Sequence, residues 1–525
     1  MKDLKTSVSF IFIFYFFTIL TCKSQITISQ QNSIGGSGSD FGRSIVAGNH
    51  NVYALSGYSN SSDGDLSSNK GGMDFLVSIL DSTLHTQWVK SYGGSNNDIA
   101  FSIAPCQGGG YIIGGFSESA DGDIPANKGG TDCILMRIDS MGQIIWIKNY
   151  GGSANDGNIA LSVIETKNHH FIVCTNTSST DEDLSSNKGG TDFWVFQTDS
   201  MGNLLWERTY GGSKNEDGHS ILETKHGDFI IVGHSTSDDG DLNQNMGGED
   251  FCMLKIDSSG TLLWAKTYGG SGDDVAYHIT LTTDNGFIAC GSTNSSDGDI
   301  QMNHGLDDCW ILKLDSMGNL LWEKTLGGSM SEYAMNIANH SSGYKISAYS
   351  QSADGEVTAN NGNTDFWVIQ IDALGNIVSQ NNFGGSGIDM VMSSYQNKEN
   401  EQILVGFTNS TDKDVNQNKG GMDCWVIKLK DNISVDITQK KTFDKEKEYQ
   451  SHYDSFNQEI VIFRKESLSN QEYKILLTDI TGKIITQKNI EDKISISATH
   501  LKKGVYLYKI FSDTEPIESG KIIIR

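Results

Sequence analysis

The most regular chemistry in this 525-residue sequence lies in an acidic loop that recurs seven times. Each copy carries an Asp, then an Asp or Glu two residues later, an Asn six residues after the first Asp and a final Asp eleven residues after it. Hard cations such as Ca²⁺ prefer about six to eight oxygen ligands from flexible loops. Crowded carboxylates also repel one another when no cation lies between them. The pattern therefore indicates calcium as a candidate cofactor.

The candidate calcium ligands belong to four copies of this loop. They are Asp63, Asp65, Asn69 and Asp74; Asp121, Asp123, Asn127 and Asp132; Asp239, Asp241, Asn245 and Asp250; and Asp297, Asp299, Asn303 and Asp308. The spacing differs from that of an EF-hand, and no Glu closes the loop. Asp and Asn side chains also cap their own loop backbone through Asx turns. The sequence leaves both interpretations open, a calcium site and a self-capped loop.

An internal repeat of about 58 residues must position these loops. Gly-Gly-Ser recurs with its first glycine at positions 35, 93, 151, 211, 269, 327 and 384. The second copy shows strand-like runs at residues 99–104, 111–116, 133–138 and 144–150, separated by turns that contain glycine. Four short strands in each of seven copies predict an all-β fold, a seven-bladed β-propeller over residues 25–435. A β-solenoid is the alternative, although its coils are normally shorter.

The ends of the repeat array favour a closed ring. The seventh copy shows only three strands and stops near residue 429, while a strand-like run at 26–34 precedes the first Gly-Gly-Ser. We expect this N-terminal run to complete the last blade, which removes the free sheet edges of an open array. Residues 435–437 are the alternative source of the missing strand.

The predicted topology places the Gly-Gly-Ser loops and the acidic loops on one face, because loops after the second and fourth strands of an up-and-down sheet emerge together. The seven loops are alike, which suits a structural role or multivalent binding better than a single catalytic pocket. The twelve His occupy no repeated position, and no nucleophile elbow or phosphate loop occurs. Whether the protein is an enzyme stays open, and the sequence does not favour it.

Tryptophan and cysteine also follow the repeat. Trp88, Trp146, Trp206, Trp264 and Trp322 share a fourth-strand position, and Trp194, Trp310, Trp367 and Trp425 lie in third strands. We interpret them as packing between blades rather than as a stacking platform for sugars.

Three cysteines share a repeat position with phenylalanine in other copies. They are Cys133, Cys309 and Cys424, and the phenylalanines are Phe75, Phe193, Phe251 and Phe366. Such a position is filled by packing, so buried free thiols are predicted rather than disulfides or a metal site.

The N-terminal residues 1–24 are typical of a secretory signal peptide. Lys2 and Lys5 precede a 13-residue apolar run at 8–20, which is too short to span a bilayer as a helix. A cleavage site follows at residues 22–24. Lipidation of Cys22 is the alternative, which would make the protein a surface lipoprotein. No other apolar run in the sequence is long enough for a transmembrane helix.

The formal net charge of −26 argues against nucleic acid or an anionic membrane as the main partner. Residues 436–525 contain 15 Lys+Arg and 14 Asp+Glu, so the repeat array holds the acidity. This change in composition predicts a charged linker at 436–455 and a separate C-terminal domain at 456–525.

The C-terminal domain carries short motifs with a characteristic spacing: Asp479, Gly482 and Lys483, then Gly504 and Tyr506, then Lys521 near the end. These motifs resemble the type A C-terminal sorting domain of the type IX secretion system. The resemblance implies a small β-sandwich in a protein of a Bacteroidetes-type bacterium, recognised by the type IX secretion machinery at the outer membrane. An ordinary accessory β-sandwich is the alternative. The repeats in turn resemble those of secreted bacterial β-propellers.

These observations predict a protein that is secreted or displayed on the outer-membrane surface. Its expected role is non-catalytic binding or adhesion to a glycan or a protein. An extracellular polysaccharide hydrolase or lyase and a purely structural surface protein are the alternatives.

Overall fold

The computed structural model describes residues 22–397, 401–435, 449–454, 458–464, 473–479, 483–490, 493–511 and 516–524. The chain divides into two compact units, Met1–Asp436 and Ile437–Arg525. The described residues form 35 β-strands and one short 3-10 helix, Asn49–Asn51, and they contain no α-helix. The predicted all-β class is therefore confirmed.

Four-stranded antiparallel sheets fill the first unit. Sheet 1 contains β2 (Asp40–Ala47), β3 (Tyr53–Ser59), β4 (Asp74–Leu80) and β5 (Thr86–Tyr92). Sheet 2 contains β6 (Asp98–Pro105), β7 (Tyr111–Ser117), β8 (Asp132–Ile138) and β9 (Ile144–Tyr150). Sheet 3 contains β10 (Ser162–Glu165), β11 (Phe171–Thr177), β12 (Asp192–Thr198) and β13 (Leu204–Tyr210). Sheet 4 contains β14 (Glu216–Glu223), β15 (Phe229–Ser235), β16 (Asp250–Ile256) and β17 (Leu262–Tyr268).

The remaining sheets of this unit follow the same order, except that the last takes its fourth strand from the other end of the chain. Sheet 5 contains β18 (Asp274–Leu281), β19 (Phe287–Thr293), β20 (Asp308–Leu314) and β21 (Leu320–Leu326). Sheet 6 contains β22 (Glu332–His340), β23 (Gly343–Ser350), β24 (Asp365–Ile371) and β25 (Ile377–Phe383). Sheet 7 contains β26 (Asp389–Gln396), β27 (Gln402–Thr408), β28 (Asp423–Val435) and β1 (Cys22–Ile34).

The pairing of β1 with β28 answers which segment supplies the missing strand. The two strands run antiparallel from the Cys22–Val435 pair to the Ile34–Cys424 pair. The N-terminal run thus completes sheet 7, as predicted, and Val435 belongs to β28 instead. Residues 22–24, placed at the cleavage site by the sequence, lie in β1, while residues 1–21 of the expected signal peptide lie outside the described residues.

Each sheet has two buried central strands and an exposed fourth strand. β8 and β7 are almost wholly buried, whereas β9 begins with two exposed residues, Ile144 and Ile145. Near-continuous apolar runs account for the central strands, since both of their faces are covered. The four strands predicted in the second copy agree with β6 to β9 within one residue at each end.

The first strands of the sheets contact one another in an unbroken cycle. β2 contacts β6, and the contacts continue through β10, β14, β18, β22 and β26, which in turn contacts β2. The first strands of neighbouring sheets therefore lie side by side throughout the first unit.

Tryptophan and cysteine pack the sheets, as predicted. Trp88 donates from Nε1 to the Ser140 carbonyl of the next sheet at 3.2 Å. Its ring also fills the space beside Gly142, where a Cβ would come within 2.8 Å of Trp88. The third-strand tryptophans are fully buried: Trp194, Trp310, Trp367 and Trp425. The seven cysteines from Cys106 to Cys424 are also buried and free.

The second unit contains two sheets. In the first sheet the strands lie in the order β29 (Tyr449–Asp454), β30 (Glu459–Arg464) and β33 (Lys493–Ser497). In the second sheet the strands lie in the order β32 (Ile484–Ile490), β31 (Tyr473–Asp479), β34 (Gly504–Phe511) and β35 (Pro516–Ile524). One apolar core joins them, with Ile460 from the first sheet and Ile475 and Tyr508 from the second. This agrees with the predicted sandwich, but β29 lies in the stretch predicted as a linker.

Candidate functional site

The acidic loops bind the backbone of the Gly-Gly-Ser loops. In sheet 1 the Gly35 amide donates to Asp65 Oδ2 at 3.1 Å, and the Ser37 amide donates to Asp63 Oδ1 at 2.7 Å. The Ser-to-Asp bond recurs in the six other copies, at Asp121, Asp181, Asp239, Asp297, Asp354 and Asp412. The Ser37 amide lowers the pKa of Asp63, as expected for a carboxylate that accepts N–H bonds. Two of the predicted ligands in each copy therefore hold the neighbouring loop in place.

The loop Asn folds the acidic loop onto itself. Asn69 donates from Nδ2 to the carbonyls of Ser59 and Gly72 at 3.1 and 3.0 Å, and its Oδ1 accepts from the Gly71 amide at 2.9 Å. The Asn residues of the other candidate loops make the same bonds: Asn127, Asn245 and Asn303. These bonds are those of the self-capped loop.

The last acid of each loop belongs to a buried carboxyl pair. Asp74 begins β4, and it faces Asp98, which begins the first strand of the next sheet; both are fully buried. Gly93 separates them, and a Cβ there would come within 2.3 Å of Asp74 Oδ1 and 2.7 Å of Asp98 Oδ2. Six equivalent pairs flank the other Gly-Gly-Ser loops: Asp132–Asp156, Asp192–Glu216, Asp250–Asp274, Asp308–Glu332, Asp365–Asp389 and Asp423–Asp40.

Each carboxyl pair holds an oxygen without a hydrogen bond. Oδ1 of the loop Asp is buried and unpartnered in all seven: Asp74, Asp132, Asp192, Asp250, Asp308, Asp365 and Asp423. Burial raises the pKa of these carboxyls, to about 6 in Asp192 and Asp423 and to about 7 in Asp250 and Asp365. A raised pKa means that each of these carboxyls keeps its proton to a higher pH than an exposed carboxyl does.

The structure thus divides each set of four candidate calcium ligands. Asp63, Asp65 and Asn69 serve the loop backbone, and Asp74 meets an acid of the next sheet. Among the described residues, no group of three or more His, Cys, Asp or Glu is arranged to hold a metal ion. That statement leaves out Asn and backbone oxygens, so calcium stays a prediction. The sequence analysis missed the first-strand acid, although an Asp or Glu follows the first glycine of every Gly-Gly-Ser by five residues.

Lysine links neighbouring acidic loops. Lys70 forms an ion pair with Asp123 of the next sheet, and the same pair recurs as Lys128–Asp183, Lys188–Asp241 and Lys419–Asp65. Met246 replaces this lysine in sheet 4. In sheet 5 His304 lies 3.6 Å from Glu356, and in sheet 6 Asn361 donates to Asp414 at 3.4 Å. The face that carries these loops is therefore a framework of repeated contacts.

The centre of the unit differs from this framework. In six sheets the register of the first strand shifts by one residue opposite the second strand, which is the mark of a β-bulge. We name the residues at this repeat position the bulge ring: Arg43, Phe101, Ile159, His219, Tyr277, Met335 and Met392. No two neighbours around the ring share a chemical type except Met335 and Met392.

Contacts across sheet boundaries show that bulge-ring residues face one another. The Arg43 guanidinium lies 5.0 Å from the Phe101 ring centre in sheet 2, and Arg43 Nη1 lies 4.0 Å from Met392 Sδ in sheet 7. The rings of His219 and Tyr277 meet edge to face at 5.4 Å. Seven sheets with one framework thus carry different side chains where their first strands meet.

Two histidines in sheet 4 carry a strong electrostatic contrast. His234 Nε2 lies 3.3 Å from Asp217 Oδ2 and 3.7 Å from Glu249 Oε2. Burial acts to lower the pKa of His234, but these carboxylates outweigh it and raise the pKa. Burial, together with His234, lowers the pKa of His219 to about 3. His219 is thus neutral beside a histidine that holds its proton more tightly.

Sheet 3 departs most from the repeat. Its first strand, β10, has four residues, whereas the other first strands have eight or nine. Ile159 lies ahead of β10 and is 44 % exposed. The likeness that the sequence shows among the seven loops therefore does not extend to the first strands. The sequence held one sign of the β-bulges: a small residue often precedes the bulge, as Gly42, Ala100 and Gly218 do.

The predicted sorting motif lies on one sheet of the second unit. Asp479 ends β31, and its Oδ1 accepts from the Lys483 amide at 3.0 Å. Gly504 begins β34, and Tyr506 donates from its hydroxyl to the Lys502 carbonyl at 2.8 Å. Lys521 lies in β35 opposite Leu507, and Gly482 lies outside the described residues. These contacts brace the turns beside β31 and β34.

Comparison with known families identifies the C-terminal unit. Residues 457–525 match the secretion system C-terminal sorting domain, as the motifs predicted. Such a domain implies export by the type IX machinery to the cell surface or the medium. The described residues contain no helix long and apolar enough to cross a membrane.

The matches to curated proteins and to solved structures are distant. Over 154 residues the chain is 24 % identical to regulatory protein FlaEY of Caulobacter vibrioides, a match that covers 28 % of this chain and 16 % of that protein. It is similar to the WD40 domain of Neurospora crassa Pan2 at 9 % identity and a TM-score of 0.41, over 76 % of this chain and 95 % of that one. It is also similar to Drosophila semaphorin 2a at 8 % identity and a TM-score of 0.42, over 94 % of this chain and 97 % of that one. Similarities this distant carry no conclusion about function.

Proposed function

We propose that this protein is exported by type IX secretion and binds a glycan or protein ligand at the centre of a closed seven-bladed β-propeller, without converting it chemically. The cycle of contacts among the first strands supports a closed ring, and so does the pairing of β1 with β28. In this proposal each four-stranded sheet of the first unit is one blade, and the mature protein keeps both units until the sorting domain has been recognised.

One observation carries the binding proposal, the bulge ring. Repeated loops, carboxyl pairs and tryptophans give every blade the same frame, yet the residues that face the centre include Arg43, Phe101, His219 and Tyr277. Ligand sites combine apolar and aromatic walls with a few placed polar groups. A surface of this kind discriminates between ligands, whereas seven identical loops would not.

Binding by the secreted full chain tests this proposal. The wild type and the Tyr277→Ala variant are compared on a glycan array and on an array of extracellular proteins, with Met141→Ala as the control in an exposed turn. We expect Tyr277→Ala to weaken binding at least about tenfold. Equal binding by all three proteins contradicts a central site.

Catalysis on polysaccharide is the second candidate, because the environments of His219 and His234 push their pKa values apart. Neighbouring groups with separated pKa values are typical of an acid and a base. Release of shortened oligosaccharides that is lost in His234→Gln would favour this candidate over simple binding.

Calcium at the acidic loops is an alternative to loops that cap themselves, and the self-capped loop is the proposal that we favour. The unpartnered Oδ1 atoms of the carboxyl pairs support calcium, because a buried carboxylate oxygen without a donor is a suitable cation ligand. The N–H bonds to Asp63 and Asp65 compete with it.

A further inference from the structure

A cavity of about 450 Å³ opens between the first strands of sheets 5, 6 and 7. Its residues belong to the carboxyl-terminal halves of β18 and β22 and to the end of β26, away from the Gly-Gly-Ser loops that enter these strands. The volume lies within the usual range for small-ligand sites, about 300–1,000 Å³. The cavity is distinct from the bulge ring, because it contains none of the bulge-ring residues.

The polar groups of this cavity are only partly used by the protein. Asn336 is 9 % exposed; its Oδ1 accepts from the Ser394 hydroxyl at 3.0 Å, which leaves the Nδ2 donor without a protein partner. His278 Nδ1 accepts from the Ile337 amide at 3.4 Å, so the Nε2–H is free to donate. Asn339 uses Nδ2 on the Leu281 carbonyl at 2.7 Å, and its Oδ1 remains free to accept. An amide donor left without a protein partner, on a side chain that is otherwise mostly buried, is available to a ligand or to water.

Among the residues that the structure describes, those that line the cavity carry no formal charge. Ten residues line it, and none is Asp, Glu, Lys or Arg, in a protein in which these make up 20 % of residues. His278 adds no charge near neutral pH, because burial lowers its pKa to about 4. The free groups are neutral donors and acceptors. The Thr280 hydroxyl and the ring and hydroxyl of Tyr395 also line the cavity. Among these described lining residues, anionic ligands such as uronates or phosphates would meet no cation, and cationic ligands would meet no carboxylate.

We infer that this cavity binds a neutral sugar unit of a glycan, with Asn336, His278 and Asn339 holding its hydroxyls and Tyr395 lying beside its ring. A sugar hydroxyl both donates and accepts, and the wall offers donors at Asn336 and His278 next to an acceptor at Asn339. The proposal rests on the binding function above, and it names the ligand class and a second place on the central surface.

The test measures affinity of the secreted full chain for neutral oligosaccharides (gluco-, manno-, galacto- and xylo-series) and for oligogalacturonate. Asn336→Asp keeps the acceptor that Ser394 uses but replaces the free donor by a charge. Thr280→Val removes one hydroxyl at almost unchanged volume. Asn381→Asp is the matched control, because it makes the same change in the outer strand β25 of the same sheet. Melting temperatures verify that each variant is folded.

We expect a neutral oligosaccharide to bind with a dissociation constant below about 1 mM, and Asn336→Asp to weaken it at least about tenfold while Asn381→Asp leaves it unchanged. Thr280→Val should weaken it less. The inference is overturned if no neutral oligosaccharide binds, if oligogalacturonate or a peptide is preferred, or if Asn336→Asp binds like the wild type. A ligand that is lost in Tyr277→Ala but kept in Asn336→Asp would overturn this inference and leave the proposed function standing.

Discussion

Asp250 and Asp274 face each other across Gly269, where sheet 4 meets sheet 5. A Cβ on Gly269 would come within 2.5 Å of Asp250 Oδ1 and 2.7 Å of Asp274 Oδ2. The Asp250 Oδ2 atom accepts from the Met246 amide, while its Oδ1 has no hydrogen-bond partner. Two buried carboxyls this close cannot both ionise without a cost, so the pair favours the protonated form of Asp250.

The carboxyl pairs make stability depend on pH. Burial, with the charges of Asp274, Asp299 and Asp273, raises the pKa of Asp250 to about 7, well above its value in an unfolded chain. A carboxyl whose pKa is higher in the folded state stabilises the fold below the unfolded pKa, and this stability is lost as pH rises through the folded pKa. We therefore expect the melting temperature to fall between about pH 5 and pH 8. Thermal denaturation across this range checks it, and a rise in stability towards pH 8 would contradict it.

Asp250→Asn should remove part of that dependence. The Asn oxygen can still accept from the Met246 amide, while its NH₂ group replaces the unpartnered Oδ1 and donates to Asp274. We expect the variant to gain roughly 1–3 kcal/mol over the wild type at pH 8 and to match it near pH 5. Denaturant unfolding at the two pH values measures the difference. An equal loss of stability at both values would show that Asp250 acts through another contact.

Glycine is required between the paired carboxyls. Gly93→Ala places a methyl group within 3 Å of Asp74 and Asp98, in a buried site that cannot expand freely. The cost should be roughly 1–3 kcal/mol in the free energy of unfolding. Gly108→Ala is the control, because its Cβ would meet only Arg137, at 3.9 Å, and should change stability by less than about 0.5 kcal/mol. Similar effects from both substitutions would refute the steric role.

Met246 marks a missing ion pair. Lys188 pairs with Asp241 between sheets 3 and 4, but Met246 stands in the equivalent place opposite Asp299. Met246→Lys should add about 0.2–1 kcal/mol of stability, because such pairs are solvent-exposed, and high salt should reduce the gain. A double-mutant cycle with Asp299→Asn isolates the pair. A gain that persists in the Asp299→Asn background would rule out this ion pair as its cause.

Much of the fold follows from the sequence because the repeat shows each strand seven times. The edges of β6 to β9 were predicted within a residue, since apolar runs and glycine turns mark them. The strand β29 was missed because its stretch, which includes Tyr449 and Asp454, is charged and polar around two tyrosines.

The site was harder to predict because its partners come from different sheets. Asp74 and Asp98 are 24 residues apart, and only the packing of one sheet against the next brings them together. A β-bulge inserts one extra residue into a strand, and residues of many types can take that place. In the sequence, Arg43 and Tyr277 therefore look like ordinary strand residues. A register shift is decided by pairing, which a single strand does not reveal.

Calcium is tested by chelation. Backbone N–H groups already occupy Asp63 and Asp65, so we expect EDTA to leave the melting temperature unchanged. Added calcium should likewise have no effect, since a ligand that binds only the folded state would raise it. A fall of several degrees with EDTA that calcium reverses would establish the metal site instead.

The central claim, binding without chemical conversion, is tested most directly by mass spectrometry of the bound ligand. The secreted full chain is incubated with each oligosaccharide that it binds, and the ligand is recovered and weighed against a sample without protein. We expect every ligand to return intact and the affinity to be reduced in Tyr277→Ala. Shortened or unsaturated products that disappear in His234→Gln would contradict it and identify the protein as an enzyme.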